Sequence, residues 1–159
     1  MDEILEILEK NSRRTPADIA AMTGREEADV ARSIKDFEDR HVIAAYTTLV
    51  NWELTDDERV TALIEVKVTP QRDRGFDKVA ERIYNFPEVT ACYLMSGGFD
   101  LTVVIEGKTM KEVALFVAEK LAPCEDVTST ATHFVLKKYK DKGFVFGQAP
   151  EDDREHVLL

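Results

Sequence analysis

The chain has 159 residues, enough for one ordinary domain or two small ones, and 44% of them are hydrophobic, which suits a buried core. Charged residues make up 33%, and no apolar run approaches the roughly 20 residues that span a bilayer, so a soluble protein without membrane partners is expected. The formal net charge of -10 has the wrong sign for a nucleic-acid binder taken whole, since affinity for DNA comes largely from Lys and Arg displacing counterions. A local basic stripe can still bind DNA on an acidic molecule, so the distribution of charge decides. The N-terminus is acidic and its first apolar residues are interrupted by Glu6 and Glu9, unlike a signal peptide. Cys92 and Cys124 lie in unrelated contexts and form no CxxC pair, so the expectation is a reduced, cytoplasmic protein without a disulfide framework.

The first 43 residues read as helices. In "DEILEILEKN", Ile4, Leu5, Ile7 and Leu8 form an apolar stripe at helical spacing. In "TPADIAAMTG", Thr15 is a natural N-cap, Pro16 suits the first helical position and Gly24 a stop. "REEADVARSIKDFEDRHVI" follows, with Val30, Ile34 and Phe37 on one face. Three short helices, the last two separated by a glycine-containing turn, fit a helix-turn-helix; a plain three-helix bundle without a DNA role fits the spacing equally well. "VIAAYTTLVNW" is β-prone and reads as a connecting strand, and "ELTDDER" as a polar loop at a domain boundary.

From Val60 the two periods alternate. "VTALIEVKVT" puts Ala62, Ile64, Val66 and Val68 on one strand face, and "RGFDKVAERIYNF" carries Phe76, Val79, Ala80 and Ile83 at helix spacing. "EVTACYLMS" and "DLTVVIEG" are two strands flanking a double glycine. "TMKEVALFVAEKLA" carries Met110, Val113, Ala114, Val117 and Leu121 on a stripe behind the N-cap Thr109, and "VTSTATHFVLKKYK" is a final Thr-rich strand. The order β-α-β-β-α-β is that of a ferredoxin-like α+β unit, an antiparallel sheet with both helices on one face. The other face, with Leu63, Leu94, Val104 and Phe134 among its expected residues, has no internal partner and is a surface for association or for the N-terminal domain. The expected organisation is a helix-turn-helix domain over 1–50, a linker over 51–59, a ferredoxin-like domain over 60–140 and a tail over 141–159.

These segments in this order resemble the Lrp/AsnC family, the leucine-responsive or feast/famine regulators. The resemblance rests on the helix-turn-helix, "HVIAAY", "VTALIEVKV", "FDKVAERIYNFPEV", "LMSGGFDLTVVIEG" and "VTSTATHFVLKKYK", and it covers the chain to about Lys140. It implies an N-terminal winged-type helix-turn-helix that binds double-stranded DNA at a pseudo-palindromic operator. It also implies a C-terminal sensor for a small effector, often an amino acid, that assembles as a homodimer and as higher oligomers, often octamers. No cofactor is implied. The family's effector site matches the turn Ser96, Gly97, Gly98, Phe99 and Asp100, with Thr130 and Thr132 as possible hydroxyl donors from the last strand. Exposed N–H groups in a glycine turn can receive an α-carboxylate; the same glycines also make an ordinary hairpin turn. Asp100 either orients an α-ammonium or braces the turn.

The DNA half departs from the family pattern. Glu26 stands near the usual Ser or Thr cap, acids Glu27, Asp29, Asp36, Glu38 and Asp39 follow, and Ser33 occupies a position usually held by arginine. The candidate DNA contacts are Arg13, Arg14, Arg25, Arg32, Ser33, Lys35 and Arg40, of which Arg32 and Lys35 are helical neighbours. His41, His133 and His156 are scattered without metal-ligand spacing, and no GxGxxG, P-loop or nucleophile elbow is present. No catalytic residues are assigned. Sirohaem decarboxylases share the two-domain plan, and His133 and Lys137, four apart on the expected last strand, are the residues such an enzyme would offer. A ligand-binding co-regulator without direct DNA contact is the other alternative.

Overall fold

The computed structural model describes residues 2–69 and 75–147. The chain divides into two compact units, Met1–Val50 and Asn51–Leu159.

In the first unit, α1 (Glu3–Lys10) begins where the Asp2 carboxylate accepts the Ile4 N–H at 3.1 Å. The second helix, α2 (Pro16–Thr23), has a full capping box: Thr15 Oγ1 accepts from Asp18 N–H, and Asp18 accepts from Thr15 N–H. Gly24 ends it in the left-handed region at φ +69°, a conformation that favours glycine. The third helix, α3 (Glu27–Asp39), follows, and its N-cap Glu26 makes no side-chain capping bond. Ile4, Leu8, Ile19, Ala20 and Val30 form the core, with Ile34 and Phe37 of α3 packed against it. The strand expected in "VIAAYTTLVNW" is not formed. Residues 44–50 have no ladder partner among the described residues, and β-branched composition makes no strand without a neighbour to take its N–H and C=O groups. Trp52–Leu54 instead form one 3-10 turn, and the Arg59 guanidinium lies 3.5 Å from the Trp52 ring centroid.

The second unit runs β1 (Val60–Val68), α4 (Asp77–Tyr84), β2 (Val89–Leu94), β3 (Leu101–Gly107), α5 (Met110–Phe116) and β4 (Val127–Phe134). The sheet order is β2-β3-β1-β4 with every neighbour antiparallel, the ferredoxin-like arrangement expected. Ladder pairing sets Ala62, Ile64 and Val66 of β1 beside Ile105, Val103 and Leu101 of β3. These residues are buried under Val79 and Ile83 of α4 and Val113 and Phe116 of α5. The expected stripe on α5 is partly wrong: Met110 and Ala114 are exposed and Phe116 is buried. Beyond α5, Val117–Leu121 form a wide π turn, with Ala122 N–H donating to Val117 C=O at 2.8 Å. Phe116 lies three residues after the buried Val113, so helical spacing carries it to the same inward face, and Leu121 at the end of the turn is buried too.

Two strand assignments also change. Leu94 pairs with Leu101, and Phe134 with Ala62, so both lie on the helix-covered face and not on the open one. Register shifts between Val89 and Ala91, and between Lys67 and Val68 opposite Thr128, are the cause. Each bulge inserts one residue, and alternation counted through it inverts. The open face instead carries Leu63 and Val104, flanked by Ala91 and Tyr93 of β2 and Ala131 and His133 of β4. Leu63 is 39% and Tyr93 56% exposed.

The last strand also stops earlier than expected, at Phe134, which leaves Lys137 off it. A short hairpin follows, β5 (Lys140–Asp141) with β6 (Phe144–Val145). The rest of the expected tail, with His156, lies outside the described residues. Ile64 is fully buried at the centre of the sheet. Ile64→Ala is therefore expected to lower unfolding free energy by about 2–5 kcal/mol in urea titration.

Candidate functional site

The segment between β2 and β3 is a fixed turn. Met95 N–H donates to Asp100 C=O at 2.8 Å and closes it. Asp100 N–H then donates to Val66 C=O at 3.0 Å, and Asp100 Oδ2 accepts the Val68 N–H at 2.9 Å. The Asp100 side chain thus ties the start of β3 to the end of β1, which is the bracing role of the two considered for it. Ser96 and both glycines are exposed, while Phe99 and Asp100 are half-buried.

The two glycines are not equivalent. Gly97 has φ +145°, a conformation that side-chain-bearing residues rarely adopt. Gly98 is not among the positive-φ glycines. A Cβ built on either one meets no heavy atom within 4 Å. The backbone therefore requires glycine at 97, but nothing in the described protomer requires it at 98. Thr130 and Thr132 lie opposite Val66 and Ile64 on the helix-covered face, half-buried. The ladder puts β1 between them and β3, a separation of about two strand spacings, or roughly 10 Å. Within one protomer the threonines and the glycine turn are not brought together.

A cavity of about 270 Å³ opens near the far end of β3, lined by Ile105, Val113, Phe116, Glu88 and Lys120 among others. The Lys120 ammonium bonds Glu88 Oε1 and holds that carboxyl below the usual range, while Glu88 Oε2 is buried without a partner. Sequence reading gave no signal for this pair, whose members are 32 residues apart.

In the first unit, the α3 cations Arg32 and Lys35 and the C-cap Arg40 each pair with an acid of that helix. Arg32 Nη1 lies 2.9 Å from Asp29, Lys35 Nζ 2.9 Å from Asp39, and Arg40 Nη1 2.8 Å from Asp36. The Asp39 hydrogen bond raises the Lys35 pKa above its usual value. Arg25 donates to Ser33 Oγ at 3.4 Å, and Ser33 donates to the Asp29 carbonyl at 2.9 Å. Arg13 and Arg14 stand exposed in the loop between α1 and α2. Arg32 and Lys35 both lie away from the buried Val30 side, as their spacing predicts, but neither is a bare charge. Over residues 1–50 there are seven Lys and Arg against eleven Asp and Glu, a net of -4. Among the described residues no three His, Cys, Asp or Glu converge in a cluster able to hold a metal. His133 lies 3.3 Å from Glu65 on the open sheet face.

Residues 61–144 match the family profile described as the Lrp/AsnC ligand binding domain, and residues 3–44 match the winged helix-turn-helix DNA-binding profile. The chain belongs to the Lrp/AsnC family. Among relatives, the uncharacterized HTH-type transcriptional regulator YugG of Bacillus subtilis is 51% identical over 96% of this chain and 92% of its own. The HTH-type transcriptional regulator FL11 of Pyrococcus furiosus is 30% identical over 87% of this chain and 89% of its own. A Neisseria meningitidis transcriptional regulator solved with L-Met superposes with TM-score 0.72 at 24% identity, covering 89% of this chain and 93% of that one. Escherichia coli AsnC superposes with TM-score 0.66 at 18% identity, covering 85% of this chain and 89% of that one. The sensor is a separate module from the DNA reader, and the relatives are named as regulators and not as enzymes.

The contrast between the glycines is measurable. Gly97→Ala should cost about 1–3 kcal/mol of stability through backbone strain. Gly98→Ala should be neutral or stabilising by up to about 1 kcal/mol, because it narrows the unfolded ensemble without a native clash. Urea denaturation of the two single variants reads both outcomes.

Proposed function

We infer that the chain acts as a DNA-binding transcriptional regulator of the Lrp/AsnC type with a ligand-binding domain. We propose that its assembly or its DNA binding responds to a small effector of the amino-acid class, received at Ser96, Gly97, Gly98 and Phe99. The observation that carries this reading is Gly98, a glycine that its own protomer does not require, on a turn anchored to β1. Exposed N–H groups of such a turn suit an α-carboxylate. The L-Met bound by the Neisseria regulator supports the same ligand class. Asp100 holds the turn in place. Thr130 and Thr132 take part only across a boundary between subunits.

The open sheet face, with Leu63, Tyr93 and Val104, is the proposed homodimer surface, and dimers associate further toward an octamer. The functional limits follow as 1–50 for the DNA reader, 51–59 for the linker, 60–140 for sensing and assembly and 141–159 for the tail, in a cytoplasmic protein. Two-fold symmetry calls for a pseudo-palindromic operator with half-sites about one helical turn apart, or a multiple of it.

DNA is contacted through α3 and the Arg13–Arg14 loop, with Arg25, Arg32, Ser33, Lys35 and Arg40 on the reading side. Exposed ion pairs contribute only about 0–1 kcal/mol, so Arg32, Lys35 and Arg40 can exchange their carboxylates for phosphates at little cost. The self-neutralised helix keeps weak the counterion-driven component of binding, which carries no sequence information.

Titration of the protein onto its own promoter DNA tests the proposal. Sequence preference at low salt is expected; none, with the oligomer intact, would favour a co-regulator that does not touch DNA. The double variant Asp29→Asn/Asp39→Asn should bind DNA about threefold to tenfold more tightly at low salt, read by fluorescence anisotropy, with reduced preference for the operator. Unchanged affinity would mean that α3 does not face the duplex.

A further inference from the structure

Exposed lysines are spread over the second unit, at Lys67, Lys108, Lys111 and Lys120 among others, but one short element carries several of them in six residues. From Lys137 to Lys142 the chain carries Lys137, Lys138, Lys140 and Lys142 against the single acid Asp141, within a protein of net charge -10. The element is the β5-β6 hairpin with the segment that leads into it. Lys140 pairs with Val145 and Asp141 with Phe144, and Phe146 N–H donates to Tyr139 C=O at 2.9 Å. Lys142 and Gly143 form its two-residue tip with φ +44° and +88°. Positive φ at both positions is the signature of a type I′ turn, whose twist suits a tight hairpin.

The state of these cations differs from those on α3. Lys138 lies 3.8 Å from Glu106. Lys137, Lys140 and Lys142 are exposed and make no ion pair among the described residues. Lys137 Nζ sits 5.2 Å from the centroid of the Tyr139 ring. Tyr139 is 72% and Phe144 56% exposed, so the arm presents cations beside bare aromatic faces.

We propose that this hairpin is a second DNA-contacting surface, through which the sensor unit itself holds phosphates of the duplex. The proposal rests on the DNA-binding function of the first unit. Charge complementarity selects the occupant: three unpaired cations in six residues of an acidic protein suit a polyanion, and duplex DNA is the polyanion that this chain binds. The contact is to backbone alone, because a short arm carrying lysines and no amide side chain contributes position and affinity and no base code. The division of labour also makes physical sense. The neutralised α3 helix reads sequence, and the arm supplies attraction that the helix lacks.

The test uses the full chain carrying Lys137→Gln, Lys140→Gln and Lys142→Asn, the last chosen because Asn tolerates positive φ and preserves the turn. Binding to an operator duplex and to a scrambled duplex is titrated over a range of salt. The slope of log affinity against log salt should become shallower by about 0.9 for each phosphate that the variant no longer neutralises, up to about 2.7 for three. Affinity for both duplexes should fall by the same factor, with oligomer mass and melting temperature unchanged. Should the triple variant fold poorly, Lys140→Gln alone should still remove about 0.9 of the slope. An unchanged slope in a folded variant overturns the proposal, and an unchanged slope with altered oligomer mass assigns the arm to a contact between subunits instead. Wild-type protein without preference for the operator would count against the DNA-reading function; wild-type protein with preference, and an unaffected variant, counts against the arm alone.

Discussion

The second unit depends on one constraint: a four-stranded antiparallel sheet has two faces, and the described helices of this unit cover only one. Ala62, Ile64, Val66, Leu101, Val103 and Ile105 disappear under α4 and α5 and form a complete core within a single subunit. The opposite face keeps Leu63 and Tyr93 in water. Apolar side chains at the centre of a sheet face gain free energy from being covered, so the fold itself favours association. In the proposed dimer, pairing of this face with a second copy supplies the two readers that a two-fold operator needs.

Much of this was legible in the sequence because periodicity is a local signal. The β1 stripe, the α4 stripe, the Thr15–Pro16 start and Gly24 stop of α2 all appear where the pattern places them. The failures share a cause. Alternation counted along β2 and β4 crosses a bulge in each, and Leu94 and Phe134 change faces as a result. A bulge is a property of two strands in register, and a single strand's composition does not announce it. Residues 44–50 fail differently, since their β propensity is real but finds no ladder partner among the described residues.

Charges were legible as types and not as pairs. The sequence shows an acidic α3 and implies weak DNA binding, whereas the structure shows three short acid–base pairs on that helix, leaving its cations available through exchange. Three exposed lysines without an ion pair among the described residues, Lys137, Lys140 and Lys142, stand on or just before the β5-β6 hairpin, where the sequence reads as the end of a strand and the start of the tail. Under the proposed DNA contacts, charge is neutralised on the reading helix and bare on the β5-β6 arm.

The glycine turn shows the limit of sequence reading most clearly. Two adjacent glycines read alike, yet Gly97 answers to its own backbone and Gly98 to nothing among the described residues. Asp100, equally plausible as a ligand contact or a brace, is committed to the Val68 N–H. What stays open at the turn is the space beside Gly98. The most direct test measures operator affinity of wild type and Gly98→Leu in the presence of each of the twenty amino acids. At least one amino acid should change wild-type affinity by a factor of about 5–150, the range of ordinary allosteric coupling, and leave the variant unmoved with its oligomer and basal DNA binding intact. An equal response in both proteins, or no response to any amino acid, would contradict the account.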